Sequence, residues 1–405
     1  NGQITIASNG GIIGINADIA GGTTAITGGE RVIMADGTGI NIVGAGNTLT
    51  IAADTGPITL YDLTTSGGAI IINSNSGTTT LNGNIATSDG ALTVTGANTI
   101  SQSNTVNTGT GDITFTAESD ISIVDIKTTG TATITSNTGS ISSEVDDTAD
   151  ITAGTIILSA GDTDPTDENN IYIDVSSLSI TATADNNIVI KNLDTDTTAN
   201  LTSSVDGDIS FTQQEGDVDI SATTANGSIY VYNLSLLTGG GITATSVVAN
   251  GDDSEVILDN TTSSVGDIEV NDVEAPYVII NSSRAIEENI PDVTPDIVTN
   301  SLIMSASSGI GNVNPIETEV SYLNAYNTTS GDINIDNTGD LTIDDFSLGT
   351  GYGVVNEGGA VNITTSSPLN VDADVLASGD ITLIAGDNDA ATTDNITIAE
   401  NVNIG

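Results

Sequence analysis

A five-residue unit recurs along the chain: a glycine, a small or acidic residue, an aliphatic, a polar residue and an aliphatic. It reads Gly111-Asp112-Ile113-Thr114-Phe115, Gly207-Asp208-Ile209-Ser210-Phe211, Gly216-Asp217-Val218-Asp219-Ile220, Gly266-Asp267-Ile268-Glu269-Val270, Gly331-Asp332-Ile333-Asn334-Ile335 and Gly379-Asp380-Ile381-Thr382-Leu383. The aliphatics of each unit lie two apart and so share one face of a strand. The Gly-Asp step turns the chain ahead of the strand, because glycine accepts positive φ and aspartate caps turns with its side chain. The spacing constrains the fold further. Gly339, Gly359 and Gly379 are 20 residues apart, as are Gly207 and Gly227, while Gly68, Gly90 and Gly111 fall 22 and 21 apart. A period near 20 in an all-β pattern requires a coil that returns to the same place each turn. The sequence therefore predicts an all-β parallel β-helix, or β-solenoid, of about 20 residues per coil with essentially no helix. A β-sandwich also has many short strands, but needs no constant period and usually carries more aromatics than the three Phe and eight Tyr found here.

Composition removes whole classes of function. Among 405 residues there is no His, Cys or Trp. That excludes the usual zinc sites, Ser–His and Cys–His nucleophile pairs and any disulfide framework. Four cations (Arg31, Lys127, Lys191 and Arg284) face 54 acids, for a net charge of −50. Nucleic-acid binding needs clustered Lys and Arg and is excluded on that ground, and docking on an anionic membrane is disfavoured. So acidic a chain invites a reading of disorder. The recurring Ile, Val, Leu and Ala, alternating with Thr, Ser and Asn, argue for strands instead. No run of about 20 apolar residues offers a transmembrane helix.

The pattern reads as one continuous solenoid over 1–405, entered and left in mid-pattern, and so as a fragment of a longer chain. Residues 274–314, with Pro276, Pro291, Pro295 and Glu287-Glu288, read as an irregular insertion within it, because proline removes a ladder hydrogen bond.

Gly309-Ile310-Gly311, Pro315-Ile316-Glu317-Thr318-Glu319-Val320, Leu323-Asn324-Ala325 and Ser330-Gly331-Asp332-Ile333 form a series that resembles the coil pattern of filamentous-haemagglutinin-type surface proteins. Ile156-Ile157-Leu158-Ser159-Ala160-Gly161 is similar to another of their coils. The resemblance implies a right-handed β-helix and a bacterial surface adhesin or passenger, exported to the cell surface or secreted. The secretion cap that the family carries is not evident in this sequence.

The richest metal-ligand pattern is Gly161-Asp162-Thr163-Asp164, echoed 225 residues later at Gly386-Asp387-Asn388-Asp389. Two Asp two apart, with backbone carbonyls, can begin a Ca²⁺ shell, so Asp162, Asp164, Asp387 and Asp389 are the Ca²⁺ candidates. The EF-hand spacing is absent, and an Asx-rich turn explains the same residues. No other cofactor is implied. Catalysis is not expected: β-helix lyases need a basic residue, and no carboxylate pair stands out for hydrolysis. Asn-x-Ser/Thr sequons include Asn233, Asn260 and Asn327, as chance provides in so Asn- and Thr-rich a chain.

The expected function is mechanical: a structural stalk or fibre segment of an adhesin-like surface protein. About 20 coils at roughly 4.8 Å would make a rod of roughly 100 Å, carrying about one net charge per 2 Å. The expected partners are flanking coils or copies stacked end to end, with a host-surface or glycan ligand on the loops. One alternative is a subunit of a self-assembling extracellular filament. Another is a carbohydrate-binding or carbohydrate-cleaving β-helix.

Overall fold

The structure, a computed structural model, describes residues 3–143, 148–161, 171–175, 177–182, 187–193, 196–236, 239–262, 266–346, 352–366, 368–386 and 395–405. The described residues form strands, turns and bends, with no helix. The chain divides into two compact units, Asn1–Leu193 and Asp194–Gly405.

The first unit is a stack of three-sided coils. One coil supplies the strands Leu92–Gly96, Ile100–Gln102 and Val106–Asn107. The next supplies Ile113–Ala117, Ile121–Ile123 and Ile126–Lys127, each paired in parallel with its counterpart. The repeat is about 21 residues per turn, as the glycine spacing predicts. Alternation within each strand turns one side chain inward and the next outward. Ile26, Ile51, Ile72, Val94, Phe115, Ile134 and Leu158 thus stack in register as one buried column. Each such side chain is worth roughly 1.5–3 kcal/mol of burial, which ordering of the chain largely offsets.

The second unit uses the same rule with longer strands. Phe211, Val231, Leu258, Ile280, Met304, Ala325, Val354 and Val375 form its corresponding column. Ile297–Ala306 is long enough to turn a corner. Its first residues pair with Val273–Glu274, its later ones with Tyr277–Asn281. The segment 274–314 contributes Tyr277–Asn281, Ile286–Glu288 and Ile297–Ala306 to the parallel ladders, and Pro291 and Pro295 lie in the connection before the last of these.

The corners explain the polar part of the repeat. In the first unit the buried hydroxyls of Thr65, Thr87 and Thr108 donate to the carbonyls of Gly68, Gly90 and Gly111, three residues on. In the second unit buried asparagines take over. Asn233 Nδ2 donates to the Gly216 and Gly241 carbonyls at 3.0 Å each, and Asn260 Nδ2 to those of Gly240 and Gly266 at 3.0 and 2.9 Å. Asn233, Asn260 and Asn327 are fully buried, so these three sequons offer no glycan acceptor in the folded chain.

The Gly-Asp step has a role that crosses coils. The Oδ1 atoms of Asp112, Asp208, Asp217, Asp267 and Asp332 accept the backbone N–H groups of Thr131, Ser228, Gly241, Ala285 and Ala360, at 2.7–3.1 Å. Each aspartate therefore ties its own coil to the following one. Two requirements select glycine, and Gly331 meets both, since a Cβ there would lie 2.3 Å from the Ser308 carbonyl oxygen. Gly216, Gly331 and Gly339 adopt positive φ. Gly111 and Gly266 are required by close approach instead: a Cβ there would lie 2.3 Å from the Gly90 carbonyl oxygen or 2.0 Å from the Gly240 carbonyl carbon.

Candidate metal centre

The Ca²⁺ candidates Asp162, Asp164, Asp387 and Asp389 all lie outside the described residues. Of their flanks, Gly161 N–H donates to the Gly139 carbonyl at 3.2 Å and Gly386 N–H to the Thr365 carbonyl at 2.7 Å, so both runs leave from coil-bonded positions.

Among the described residues, three carboxylates converge elsewhere. Glu288, Asp296 and Glu317 each place a ligand-capable oxygen within 4.8 Å of the others. The register brings this about. Ile297 pairs with Thr318, so Asp296 and Glu317 occupy the same corner of adjacent coils. Two backbone-mediated bonds fix them: Asp296 N–H donates to the Glu317 carbonyl at 2.8 Å, and Glu317 N–H to Asp296 Oδ2 at 3.1 Å. Glu288 closes the strand Ile286–Glu288, and its Oε1 accepts Asp292 N–H at 2.9 Å. Asp292 in turn caps Thr294, accepting its N–H and its hydroxyl at 2.6 Å each, which holds this exposed carboxylate below its usual range. The connection between Glu288 and Asp296 is thus folded by its own acids.

The electrostatics are unfavourable as they stand. Asp296 is only 3% exposed. Burial first, and then the facing carboxylates of Glu288 and Glu317, push its carboxyl up to about 8, against the opposing pull of the Glu317 N–H. Glu317 is also raised, by burial and then by Glu288. Its Oε2 is shut off from solvent and has no hydrogen-bond partner. Glu287, on the same strand as Glu288, is raised by burial, although its Oε2 accepts Val313 N–H at 3.0 Å. Two arrangements relieve such a cluster: a proton shared among the carboxyls, or a divalent cation held by their oxygens.

Sequence reading missed this cluster because Glu288 and Asp296 sit in the segment read as irregular. A signal was present, since Asp296 and Glu317 are one coil apart in a chain whose coils repeat at that spacing.

The same unit carries a groove of about 550 Å³. Exposed Glu274 and Glu319 stand two rungs apart in one outward row, with Val298 between them, and Asp252 and Asp340 also line the groove. On another outward face Phe346 rests between Tyr277 and Tyr322, edge-on to each, with ring centroids at 6.4 and 6.3 Å. Tyr230 donates its hydroxyl to Glu255 Oε1 at 2.9 Å.

Fold and site together define an all-β protein of stacked parallel coils whose corners are held by carboxylates, amides and hydroxyls. No family model, no curated protein and no solved structure matches the chain. No helix among the described residues is long and apolar enough to cross a membrane.

Proposed function

We propose that the chain is a structural stalk or fibre segment of an extracellular, adhesin-like surface protein, acting as a stiff acidic rod. The observation that carries this reading is the coil-to-coil bonding within each unit. Strand after strand is paired in parallel, and the Gly-Asp aspartates add a further bond from coil to coil. Such a stack resists extension because many hydrogen bonds must yield together. The net charge of −50 keeps neighbouring copies apart at low salt. The resemblance to filamentous-haemagglutinin-type coils supports the surface location. The role includes no catalysis. Negative-stain electron microscopy of the purified chain tests the proposal: separate, narrow, elongated particles support it, and compact globules refute it. End-to-end fibres instead favour the filament subunit.

The acidic groove favours a second reading, carbohydrate binding, because carboxylates set along a cleft accept sugar hydroxyls. A glycan array with the wild-type chain and a Glu274→Gln/Glu319→Gln variant tests it. Binding that the double variant loses supports this reading, and an array without binding removes it.

A further inference from the structure

We propose that Glu288, Asp296 and Glu317 form a binding site for one hard divalent cation, with Ca²⁺ the fitting species, pinning the 289–295 connection to two coils of the second unit. The geometry carries this first. Three carboxylate groups from three separate stretches present oxygens within 4.8 Å of one another, a spacing that one ion can bridge. A second observation is independent of the clustering. Glu317 Oε2 has no donor and no access to water, although a buried carboxylate oxygen ordinarily has a partner. Asp296 is 3% exposed, and its carboxylate receives one backbone N–H, from Glu317. The charged groups that act on it are Glu288 and Glu317, both acidic. A 2+ ion supplies the missing positive charge and takes up the orphaned oxygen in one step. The donor set is all oxygen, in a chain without His or Cys, which suits Ca²⁺ better than a transition metal. Three carboxylates leave coordination positions for water or for carbonyls of the connection.

The connection gives the site its structural effect. Glu288 already bonds Asp292, and Asp292 caps Thr294, so an ion on Glu288 and Asp296 would close a ring around residues 289–295.

The test is calorimetric titration of Ca²⁺ into the chelator-treated full chain in 150 mM salt, which suppresses diffuse ion accumulation. Wild type, Asp296→Asn, Glu317→Gln and a groove control, Glu274→Gln, are compared. The expected result is a saturable site in wild type and in Glu274→Gln, with affinity lowered at least tenfold in Asp296→Asn and in Glu317→Gln. Far-UV circular dichroism confirms that each variant keeps its β-sheet content. Asp296→Asn is nearly isosteric, and Glu317→Gln provides the reading if that variant fails to fold. The proposal is overturned if wild type shows no saturable binding, or if folded Asp296→Asn and Glu317→Gln both bind as wild type does. Any saturable binding that survives both substitutions belongs to another site, with Asp162, Asp164, Asp387 and Asp389 the first to substitute.

Discussion

Replacing Asn327 by alanine removes a side chain with no contact with solvent whose amide nitrogen and oxygen are both hydrogen-bonded. Its Nδ2 donates to the Ser330 carbonyl at 2.9 Å, to the Gly331 carbonyl at 3.0 Å and to Asn356 Oδ1 at 2.8 Å. Its Oδ1 accepts Gly309 N–H at 3.0 Å. After truncation the Gly331 carbonyl keeps the Asn356 amide as a donor. The Gly309 N–H and the Ser330 carbonyl lose the partner that Asn327 gave them. At roughly 1–3 kcal/mol for each buried group left unmade, plus a small cavity, the expected loss is about 4 kcal/mol. Asn362→Ala is the control. Its amide donates to Asn334 Oδ1 on the outer, part-buried side of the coil, and its removal should cost about 1 kcal/mol or less. Urea titration followed by far-UV circular dichroism measures both variants. The comparison requires equal m-values, because a stack of repeats can lose cooperativity and unfold in pieces. An Asn327→Ala chain within about 1 kcal/mol of wild type at unchanged m would refute the idea that buried amides at the corners hold the coils of the second unit together.

Gly68→Ala should prevent normal stacking of its coil, because the new Cβ would lie 1.7 Å from the Asn47 carbonyl oxygen; loss of the cooperative thermal transition at the wild-type temperature checks this. Asp112→Ala should cost about 1–2 kcal/mol by removing the acceptor for Thr131 N–H, and Asp112→Asn should recover most of it, both read by urea titration. Phe346→Ala should cost about 1–3 kcal/mol, since it uncovers the facing edges of Tyr277 and Tyr322; protease sensitivity after residue 343 should rise with it. Burial raises the phenols of Tyr230, Tyr232, Tyr277 and Tyr326 above the usual value of 10. The unfolded chain therefore ionises first, so stability falls as pH rises from 10 through the folded values. Absorbance titration at about 295 nm should show these phenolates forming later in the folded than in the urea-unfolded chain.

The fold was legible because its signal is local and repeated. Ile113, Phe115 and Ala117 can be assigned to one face from alternation alone, and the glycine spacing gives the coil length. The partner of Asp112 was not legible in the same way. Its side chain looks like a turn cap in sequence, yet it bonds Thr131 of the following coil, a contact that exists only once the coils are stacked. The glycines carry the same lesson. Gly216 is required by its backbone angle, whereas Gly111 is required by the Gly90 backbone lying against it, and the two requirements are identical in sequence. The Glu288, Asp296 and Glu317 cluster was missed for a related reason. A search for metal ligands at short spacing finds Asp162 and Asp164. A solenoid brings ligands together at the coil spacing, so Asp296 and Glu317 meet although 21 residues separate them.

The acidic residues of this chain therefore divide by how their charge is met. Asp112, Asp208 and Asp332 sit at corners where backbone N–H groups point at them, and an N–H needs an acceptor whether or not the acceptor is charged. Their charge sums into the field that separates one copy from the next. Asp296 differs because its carboxyl is enclosed: burial, with the carboxylates of Glu288 and Glu317 beside it, raises it to about 8, so ionising it on this corner is costly. Added salt should screen the first group and leave the second nearly untouched, since buried charges see little of the ion atmosphere. A thermal midpoint that rises with monovalent salt and then rises again on adding Ca²⁺ at constant high salt would separate the two contributions. Asp296→Asn should abolish the second rise and leave the first in place. An equal second rise in folded Asp296→Asn would show that Ca²⁺ stabilises this chain without using the enclosed carboxylates.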